Sequence, residues 1–210
     1  MDNRAGWIVM EMPTLVLFMA LFFTGKNSIT TVMLFLMAAW LIHYGNRIFI
    51  FPLRTRTKGK KIPIAIVSMA MFFNLVNGFL NGYYLGYLTD DYEITWIKDP
   101  RFIIGVIVFI SGFIINQLAD HHLIHLRKPG QKGYSIPTHR LFRYVSCRNF
   151  GGEILEWCGF ALMAWNLPAL SFAVWTAANL VPRAIQHHRW YRATFPDYPA
   201  GRKALIPGIL

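Results

Sequence analysis

The chain has 210 residues, of which 55% are hydrophobic and only 15% are charged. In a soluble domain roughly a quarter of the residues are charged, so this composition excludes an ordinary soluble globular protein. The net charge of +11 comes from basic residues between the apolar segments, and its simplest explanation is attraction to anionic lipid.

Six apolar segments follow one another along the chain. The first four are about long enough to cross a bilayer. They cover residues 7–24, 30–52, 63–89 and 102–119. Two shorter segments, 154–165 and 168–182, meet at Asn166 and predict a hairpin of two helices, with a re-entrant pair as the alternative. We therefore predict an all-α integral membrane protein with about six transmembrane helices, forming a single domain over residues 1–210.

The distribution of basic residues predicts the topology. Five lie between residues 54 and 61, six between 127 and 148, and five after Pro182, whereas residues 90–99 contain four acids and one lysine. With six spans, all the basic connections fall on one side, which the positive-inside rule assigns to the cytosol. We expect both termini to be cytosolic, without a cleavable signal peptide.

Polar side chains inside the apolar segments crowd toward the predicted cytosolic side. They come from five helices and include Glu11, Tyr44, Arg47, Asn116, Asp120, Asn149, Glu153, Arg183 and His187. Ionisable groups in a membrane are costly and typically functional. Their convergence indicates a ligand pocket. We predict that the helices enclose this pocket, which opens toward the cytosol beside ordered cytosolic loops.

Two sets of polar residues have competing explanations. Asn74, Asn77 and Asn81 lie at i, i+3 and i+7 on one face of the third segment. Interhelical hydrogen bonding is the favoured explanation for them. Arg47, at the end of the second segment, either reaches to the interface or has an acid and a tyrosine as neighbours.

Histidine and cysteine spacing does not indicate a metal site. His121, His122 and His125 have no positioned carboxylate, so we expect interfacial polar residues there. Cys147 and Cys158 lack metal-type spacing and predict free thiols.

The polar residues themselves favour a phosphorylated ligand. The chain has no Gly-rich nucleotide-binding motif, which excludes a Rossmann domain. Arg, Lys and His in the basic connections suit a pyrophosphate or a ribose 2′-phosphate, and Asn, Asp and Glu suit ribose hydroxyls and an amide. A protonated Glu11 and Tyr44 would both donate to one carbonyl oxygen and polarise an enone.

An ordered series of motifs runs along the chain. Glu-Met-Pro stands at 11–13 and His-Tyr-x-x-Arg at 43–47. Asn-x-x-x-Asp begins at Asn116, and Leu-Arg-Lys-Pro-Gly follows at 126–130. Asn-Phe-Gly-Gly-Glu-Ile-Leu-Glu-Trp stands at 149–157 and Arg-Lys-Ala-Leu-Ile-Pro at 202–207. Together these motifs resemble the steroid 5α-reductase (3-oxo-5α-steroid 4-dehydrogenase) family over nearly the whole chain.

The resemblance implies an NADPH-dependent reductase of 3-oxo-Δ4 steroids. In that family hydride goes to C5 and the enolate is protonated at C4, and the nicotinamide meets the steroid in a pocket between helices. The carbonyl-binding pair matches Glu11 and Tyr44. The residues matched to the cofactor site are Asn116, Asp120, Arg127, Tyr134, Asn149, Glu153, Arg183, His187, Tyr191 and Arg202.

Two departures from the family pattern accompany this resemblance. The family commonly has a leading transmembrane helix, and this chain is expected to start after it. The residue before the catalytic acid, often Gln in animal members, is Met10.

Several functions remain alternatives at this point. They are a reductase of another membrane-soluble enone or sterol, a membrane methyltransferase using S-adenosylmethionine, a transporter, and a non-catalytic sterol-binding protein. A transporter would place polar groups across both leaflets, whereas here they crowd at one side. The expected partners are a steroid or related lipid substrate and membrane lipid, with no nucleic acid, and the expected state is a monomer.

Overall fold

A computed structural model describes residues 1–57, 59–89, 92–126 and 134–210, and most of these residues are helical. Their α-helices are α1 (Asn3–Thr24), α2 (Thr31–Gly45), α3 (Phe51–Arg54), α4 (Ile64–Tyr83), α5 (Pro100–His125), α6 (Arg148–Ala164) and α7 (Leu167–Thr194). A π-helical turn, Asn46–Ile50, continues α2, and another, Tyr84–Leu88, continues α4. The predicted all-α class is confirmed.

Four helical segments in the described ranges are long and apolar enough to cross a membrane. They are Asn3–Thr24, Thr31–Arg54, Ile64–Leu88 and Pro100–His125. These segments match the first four predicted ones, which supports a membrane protein. Helix α6 has 17 residues, fewer than the roughly 20 that usually span a bilayer. The count of six spans and the cytosolic termini therefore stay predictions.

The chain forms two compact units. Unit 1 comprises residues 1–103 and 166–169, and unit 2 comprises residues 104–165 and 170–210. The core of unit 1 includes a stacked pair, Phe18 and Trp40, with ring centroids 4.6 Å apart. The assignment of residues 1–210 to a single domain stays a prediction.

Glycines on α4 bring it close to α1 in unit 1. A Cβ added to Gly78 would lie 2.6 Å from the Thr14 carbonyl oxygen, and one added to Gly82 would lie 2.9 Å from the Cα of Phe18. Such contacts require that no side chain separates the two backbones, as at small-residue interfaces between membrane helices. Polar side chains on α4 can therefore reach groups on α1.

In unit 2, glycines likewise bring α5 close to α6. A Cβ added to Gly105 would lie 2.8 Å from the Gly159 carbonyl oxygen, and one added to Gly152 would lie 2.5 Å from the Asn116 nitrogen. The close approach brings the polar end of α5 against the start of α6.

The last two helices meet at the connection that the sequence predicts around Asn166. Helix α6 ends at Ala164, and Trp165 adopts a left-handed conformation with φ of 46°. The side-chain oxygen of Asn166 then accepts a hydrogen bond from the Ala169 amide at 2.9 Å, which caps α7. Helix α7 continues through Pro182 and carries its polar residues beyond the apolar segment.

Candidate active site

The carboxyl group of Glu11 is buried in unit 1 against α4. Glu11 is 8% exposed. The Asn74 side-chain amide donates to its Oε2 at 3.2 Å and to the Met10 carbonyl oxygen at 2.6 Å. The Arg47 guanidinium lies 3.6 Å from Oε1. These contacts fix the orientation of the carboxyl group.

Tyr44, near the end of α2, is held by the same face of α4. Its hydroxyl oxygen accepts a hydrogen bond of 3.0 Å from the Nδ2 of Asn77. Asn81 in turn donates to the Oδ1 of Asn77 at 3.0 Å. Because Oδ1 is occupied as an acceptor, this network assigns the donating nitrogen of Asn77 to the Tyr44 side. Glu11 and Arg47 act electrostatically on the Tyr44 hydroxyl.

Arg47 follows Tyr44 in the π-helical turn, a kind of helix distortion that is frequent at functional sites. Its guanidinium carbon lies 4.7 Å from the Trp7 ring centroid and 5.3 Å from that of Phe51. These are cation–π contacts. The acid expected beside Arg47 is Glu11, and the aromatic rings that contact its guanidinium are those of Trp7 and Phe51.

We define the asparagine face of α4 as Asn74, Asn77 and Asn81. Asn74 and Asn77 make interhelical hydrogen bonds as predicted, whereas Asn81 bonds to Asn77 within α4. The side-chain partners of Asn74 and Asn77 are the two residues that the family resemblance assigns to carbonyl binding. A buried acid, a phenol and a cation held in fixed positions can stabilise negative charge on a substrate oxygen, because they need no reorganisation during the reaction.

In unit 2, three residues matched to the cofactor site form one hydrogen-bonded cluster. The side-chain amide of Asn116 on α5 donates to the Asn149 carbonyl oxygen at 3.0 Å. The side-chain amide of Asn149 donates to Asp120 Oδ1 at 3.0 Å. The close packing at Gly152 makes these short contacts possible.

Arg202 is buried near the C-terminus of unit 2. It is 6% exposed, and its Nε and Nη1 have no hydrogen-bond partner among the described residues. Its guanidinium carbon lies 5.3 Å from the Tyr198 ring centroid, and Tyr198 stacks on Tyr191 at 5.3 Å. Buried donors without partners are costly, so this arrangement suits an anionic ligand such as a phosphate.

A polar network attaches the C-terminal segment to α7. The Ser146 hydroxyl lies 2.7 Å from Nδ1 of His188 and 2.6 Å from the Tyr198 hydroxyl. The Ser146 amide donates to the Lys203 carbonyl oxygen at 2.9 Å. Desolvation, and then the charges of Arg192 and Lys203, lower the pKa of the His188 imidazole. A neutral imidazole is compatible with this hydroxyl network.

Three matched residues share one face of α7. Arg183, His187 and Tyr191 lie at i, i+4 and i+8 of this helix. Arg183 and His187 are exposed, and the His187 ring lies 5.9 Å from Phe150 on α6. This face therefore presents donors next to the start of α6.

The remaining residues matched to the cofactor site are Tyr134, Glu153 and Arg127. Tyr134 is 62% exposed, and its ring lies 4.9 Å from that of Trp190. Glu153 is half-buried on α6. Arg127 lies outside the described residues.

Sequence reasoning left one buried acid without a role. Glu156 on α6 is 0% exposed. Glu156 follows Asn149 and Glu153 at helical spacing, but spacing alone does not distinguish the buried acid from a half-buried one. The close approach of α5 at Gly112 gives the reason for this burial.

Among the described residues, no group of three or more His, Cys, Asp or Glu side chains could hold a metal ion. The rings of His121 and His125 lie 4.3 Å apart, and the ring of His122 lies 4.9 Å from His139. Cys147 and Cys158 are free thiols.

The fold and the buried residues of unit 1 define an all-helical membrane protein in which an acid and a phenol are held by one helix. Comparison with known proteins identifies the family. The family model described as 3-oxo-5-alpha-steroid 4-dehydrogenase matches residues 60–210. The chain belongs to this family.

Similar curated proteins come from animals and plants. The 3-oxo-5-alpha-steroid 4-dehydrogenase 1 of Homo sapiens is 41% identical over 208 residues, covering 97% of this chain and 79% of its own length. The steroid 5-alpha-reductase DET2 of Arabidopsis thaliana is 42% identical over 214 residues, covering 97% and 80%. The 3-oxo-5-alpha-steroid 4-dehydrogenase 2 of Sus scrofa is 44% identical over 210 residues, covering 98% and 80%.

Proposed function

We propose that this protein reduces the Δ4 double bond of 3-oxo-Δ4 steroids to give 5α-dihydro steroids, with NADPH as the reductant. The observation that carries the proposal is the buried Glu11 and Tyr44, both bound by α4, in a chain of this family. When bound, NADPH supplies a hydride to C5, and a proton completes the reduction at C4.

Glu11 and Tyr44 activate the substrate in this proposal. In the resting protein Glu11 pairs with Arg47. For the reaction Glu11 takes up a proton, and the protonated acid and the Tyr44 hydroxyl then donate hydrogen bonds to the C3 carbonyl oxygen. As C5 gains electrons, negative charge moves through the conjugated system onto that oxygen. The two donors stabilise this charge, and the Arg47 guanidinium, 3.6 Å from Glu11, adds a positive charge nearby. Removing one such donor typically costs about 100- to 1,000-fold in kcat.

The residues of unit 2 fit a dinucleotide phosphate. The buried Arg202 offers unpartnered donors to a phosphate. The cluster of Asn116, Asp120 and Asn149 offers amide and carboxylate groups to ribose hydroxyls or a carboxamide. Further proposed contacts come from Arg127, Tyr134, Glu153, Arg183, His187 and Tyr191.

We assign the protein to a membrane as a multi-pass monomer with both termini in the cytosol. The apolar helices support the membrane assignment. The basic connections support the topology.

The test is product analysis with purified protein, a 3-oxo-Δ4 steroid and NADPH carrying deuterium at the transferred position. The expected product is a 5α-dihydro steroid with deuterium at C5. An unlabelled product, or label at C4, would overturn the proposed chemistry. No reduction of any 3-oxo-Δ4 steroid in the presence of bound NADPH would overturn the proposed substrate class.

Variants separate the carbonyl-binding roles from cofactor binding. Glu11→Gln and Tyr44→Phe should each lower kcat by about 100-fold while NADPH affinity stays within about twofold. Glu93→Gln, an exposed acid in unit 1, and Tyr144→Phe, an exposed tyrosine, are matched controls that should keep turnover. Normal turnover in both Glu11→Gln and Tyr44→Phe would show that the roles are assigned wrongly.

A further inference from the structure

We infer that Asn77 and Asn74 are positioning residues for the proposed reaction, with Asn77 acting through Tyr44 and Asn74 acting through Glu11. This inference rests on the proposed function, since it assigns a role to the groups behind the two carbonyl donors. Neither asparagine is required to touch the substrate.

Asn77 contacts the atom of Tyr44 on which charge changes during the reaction. When the phenol donates its proton toward the substrate oxygen, negative charge grows on the phenol oxygen. The Nδ2 of Asn77 donates to that same oxygen at 3.0 Å. This hydrogen bond strengthens as the charge grows, because hydrogen bonds to charged acceptors are about twice as strong as neutral ones. Asn77 therefore stabilises the transition state more than the ground state.

Asn81 makes the direction of the Asn77 amide unambiguous. It donates to the Oδ1 of Asn77 at 3.0 Å and to its backbone oxygen at 3.1 Å. Both amides are nearly inaccessible, with Asn77 4% and Asn81 3% exposed. A flipped Asn77 would place its Nδ2 against the Asn81 donor and its Oδ1 against the phenol oxygen. The relay from Asn81 through Asn77 therefore presents a donor to Tyr44.

Asn74 uses both hydrogens of its amide on α1. One is donated to Glu11 Oε2 at 3.2 Å and the other to the Met10 carbonyl oxygen at 2.6 Å. The backbone contact locks the amide, and the locked amide fixes one carboxyl oxygen while Arg47 lies beside the other. The acid is consequently held in one rotamer before substrate arrives.

Burial and helix spacing explain why asparagine serves at these positions. Asn74 and Asn77 are one turn apart on α4 and adjoin Gly78, where the α1 backbone approaches closely. A side chain with a single methylene spans that short gap with little loss of rotamer entropy. The asparagines at this interface could have hydrogen-bonded only with one another. Instead, Asn74 binds the acid Glu11 and Asn77 binds the phenol of Tyr44.

A double-mutant cycle tests the inference. Asn77→Leu should lower kcat about tenfold, the value for losing one hydrogen bond of roughly ordinary strength, while the KM for NADPH stays unchanged. In the Tyr44→Phe background the same substitution should have little further effect, because the oxygen it acts on is gone. In the Glu11→Gln background its full effect should remain. Asn74→Leu should have little further effect in the Glu11→Gln background and its full effect in the Tyr44→Phe background.

The outcomes divide clearly. If Asn77→Leu lowered kcat by the same factor in the parent protein and in the Tyr44→Phe background, Asn77 would be a merely structural residue and the inference would be overturned. If the parent protein bound NADPH but reduced no 3-oxo-Δ4 steroid, the proposed function would fail instead.

A spectroscopic measurement keeps the inference testable without turnover. With 3-fluorotyrosine incorporated in place of Tyr44, the ¹⁹F resonance reports on the phenol oxygen. Asn77→Leu should shift this resonance, whereas Asn74→Leu should change it much less. An unchanged resonance in folded Asn77→Leu protein would overturn the inference whatever the substrate proves to be.

Discussion

Arg47 and Glu11 form an ion pair between successive helices of unit 1, with Nη2 and Oε1 3.6 Å apart. The two side chains are 16% and 11% exposed, so both charges are largely removed from solvent. Trp7 and Phe51 flank the guanidinium and limit the positions that it can occupy. The pair therefore links the stability of unit 1 to the residue proposed to bind the carbonyl.

Arg47→Met should destabilise the protein by leaving the Glu11 carboxyl without its cation. Breaking a fully buried pair costs about 3–5 kcal/mol, and partial exposure should reduce that value here. Thermal unfolding in one detergent gives the measurement. The double variant Arg47→Met with Glu11→Gln should recover part of the loss, because no buried charge then remains. A double variant less stable than Arg47→Met alone would contradict this account.

Gly78→Ala should destabilise unit 1 because the added methyl group meets the α1 backbone. Its Cβ would lie 2.6 Å from the Thr14 carbonyl oxygen and 2.9 Å from the Thr14 Cα. Overpacking of this kind costs about 1–3 kcal/mol.

Gly45→Ala is the matched control, since a Cβ there meets nothing within 4 Å. It should be neutral or stabilise its helix by up to about 1 kcal/mol through helix propensity. Thermal unfolding of both variants makes the comparison. Similar losses of stability would mean that glycine flexibility, rather than close packing, matters at Gly78.

Arg202→Met should weaken NADPH binding at least about tenfold, equivalent to about 1.4 kcal/mol. The reason is the loss of a buried cation whose Nε and Nη1 have no protein partner in the described chain. Lys203→Met, which removes an exposed neighbouring charge, is the control. Titration calorimetry distinguishes them. If both variants bound NADPH equally well, Arg202 would not be a phosphate ligand.

Cys147 should resist alkylation in the folded protein. Burial raises the pKa of its thiol to about 12. The reactive thiolate is therefore a minute fraction at pH 8, whereas an ordinary thiol with a pKa of about 8.5 is substantially ionised. Cys158→Ser protein, in which Cys147 is the remaining thiol, should react with N-ethylmaleimide only after denaturation. Mass spectrometry provides the measurement, and rapid labelling of the native form would refute the burial.

The positions of the long helices were predictable because lipid imposes a minimum apolar length. Residues 102–119 satisfied it in sequence, and α5 contains them. The bond from Asn74 to Glu11 was not predictable. It depends on the register between α1 and α4, which backbone contacts at Gly78 and Gly82 determine. A periodic pattern shows that asparagines share a face, but it does not show which helix that face meets.

The burial of Arg202 was not predictable from the sequence. Its match to the family made it a candidate ligand, but its burial depends on a C-terminal segment without regular periodicity. That segment is held by hydrogen bonds between Ser146 and both Lys203 and Tyr198. Such irregular contacts have no local sequence signal, so the unpartnered guanidinium became visible only in the structure.

Glycines and asparagines lie together along the part of α4 that meets α1, and this arrangement limits how the protein can evolve. An asparagine side chain has a short, fixed reach, so moving α1 outward by even a small amount would detach Asn74 from Glu11. A substitution that fills the gap at Gly78 would therefore displace Glu11 from Asn74 before it unfolds the chain. Stabilising substitutions elsewhere would not restore this contact. In this interface, helix spacing and the position of the proposed carbonyl-binding acid have to change together.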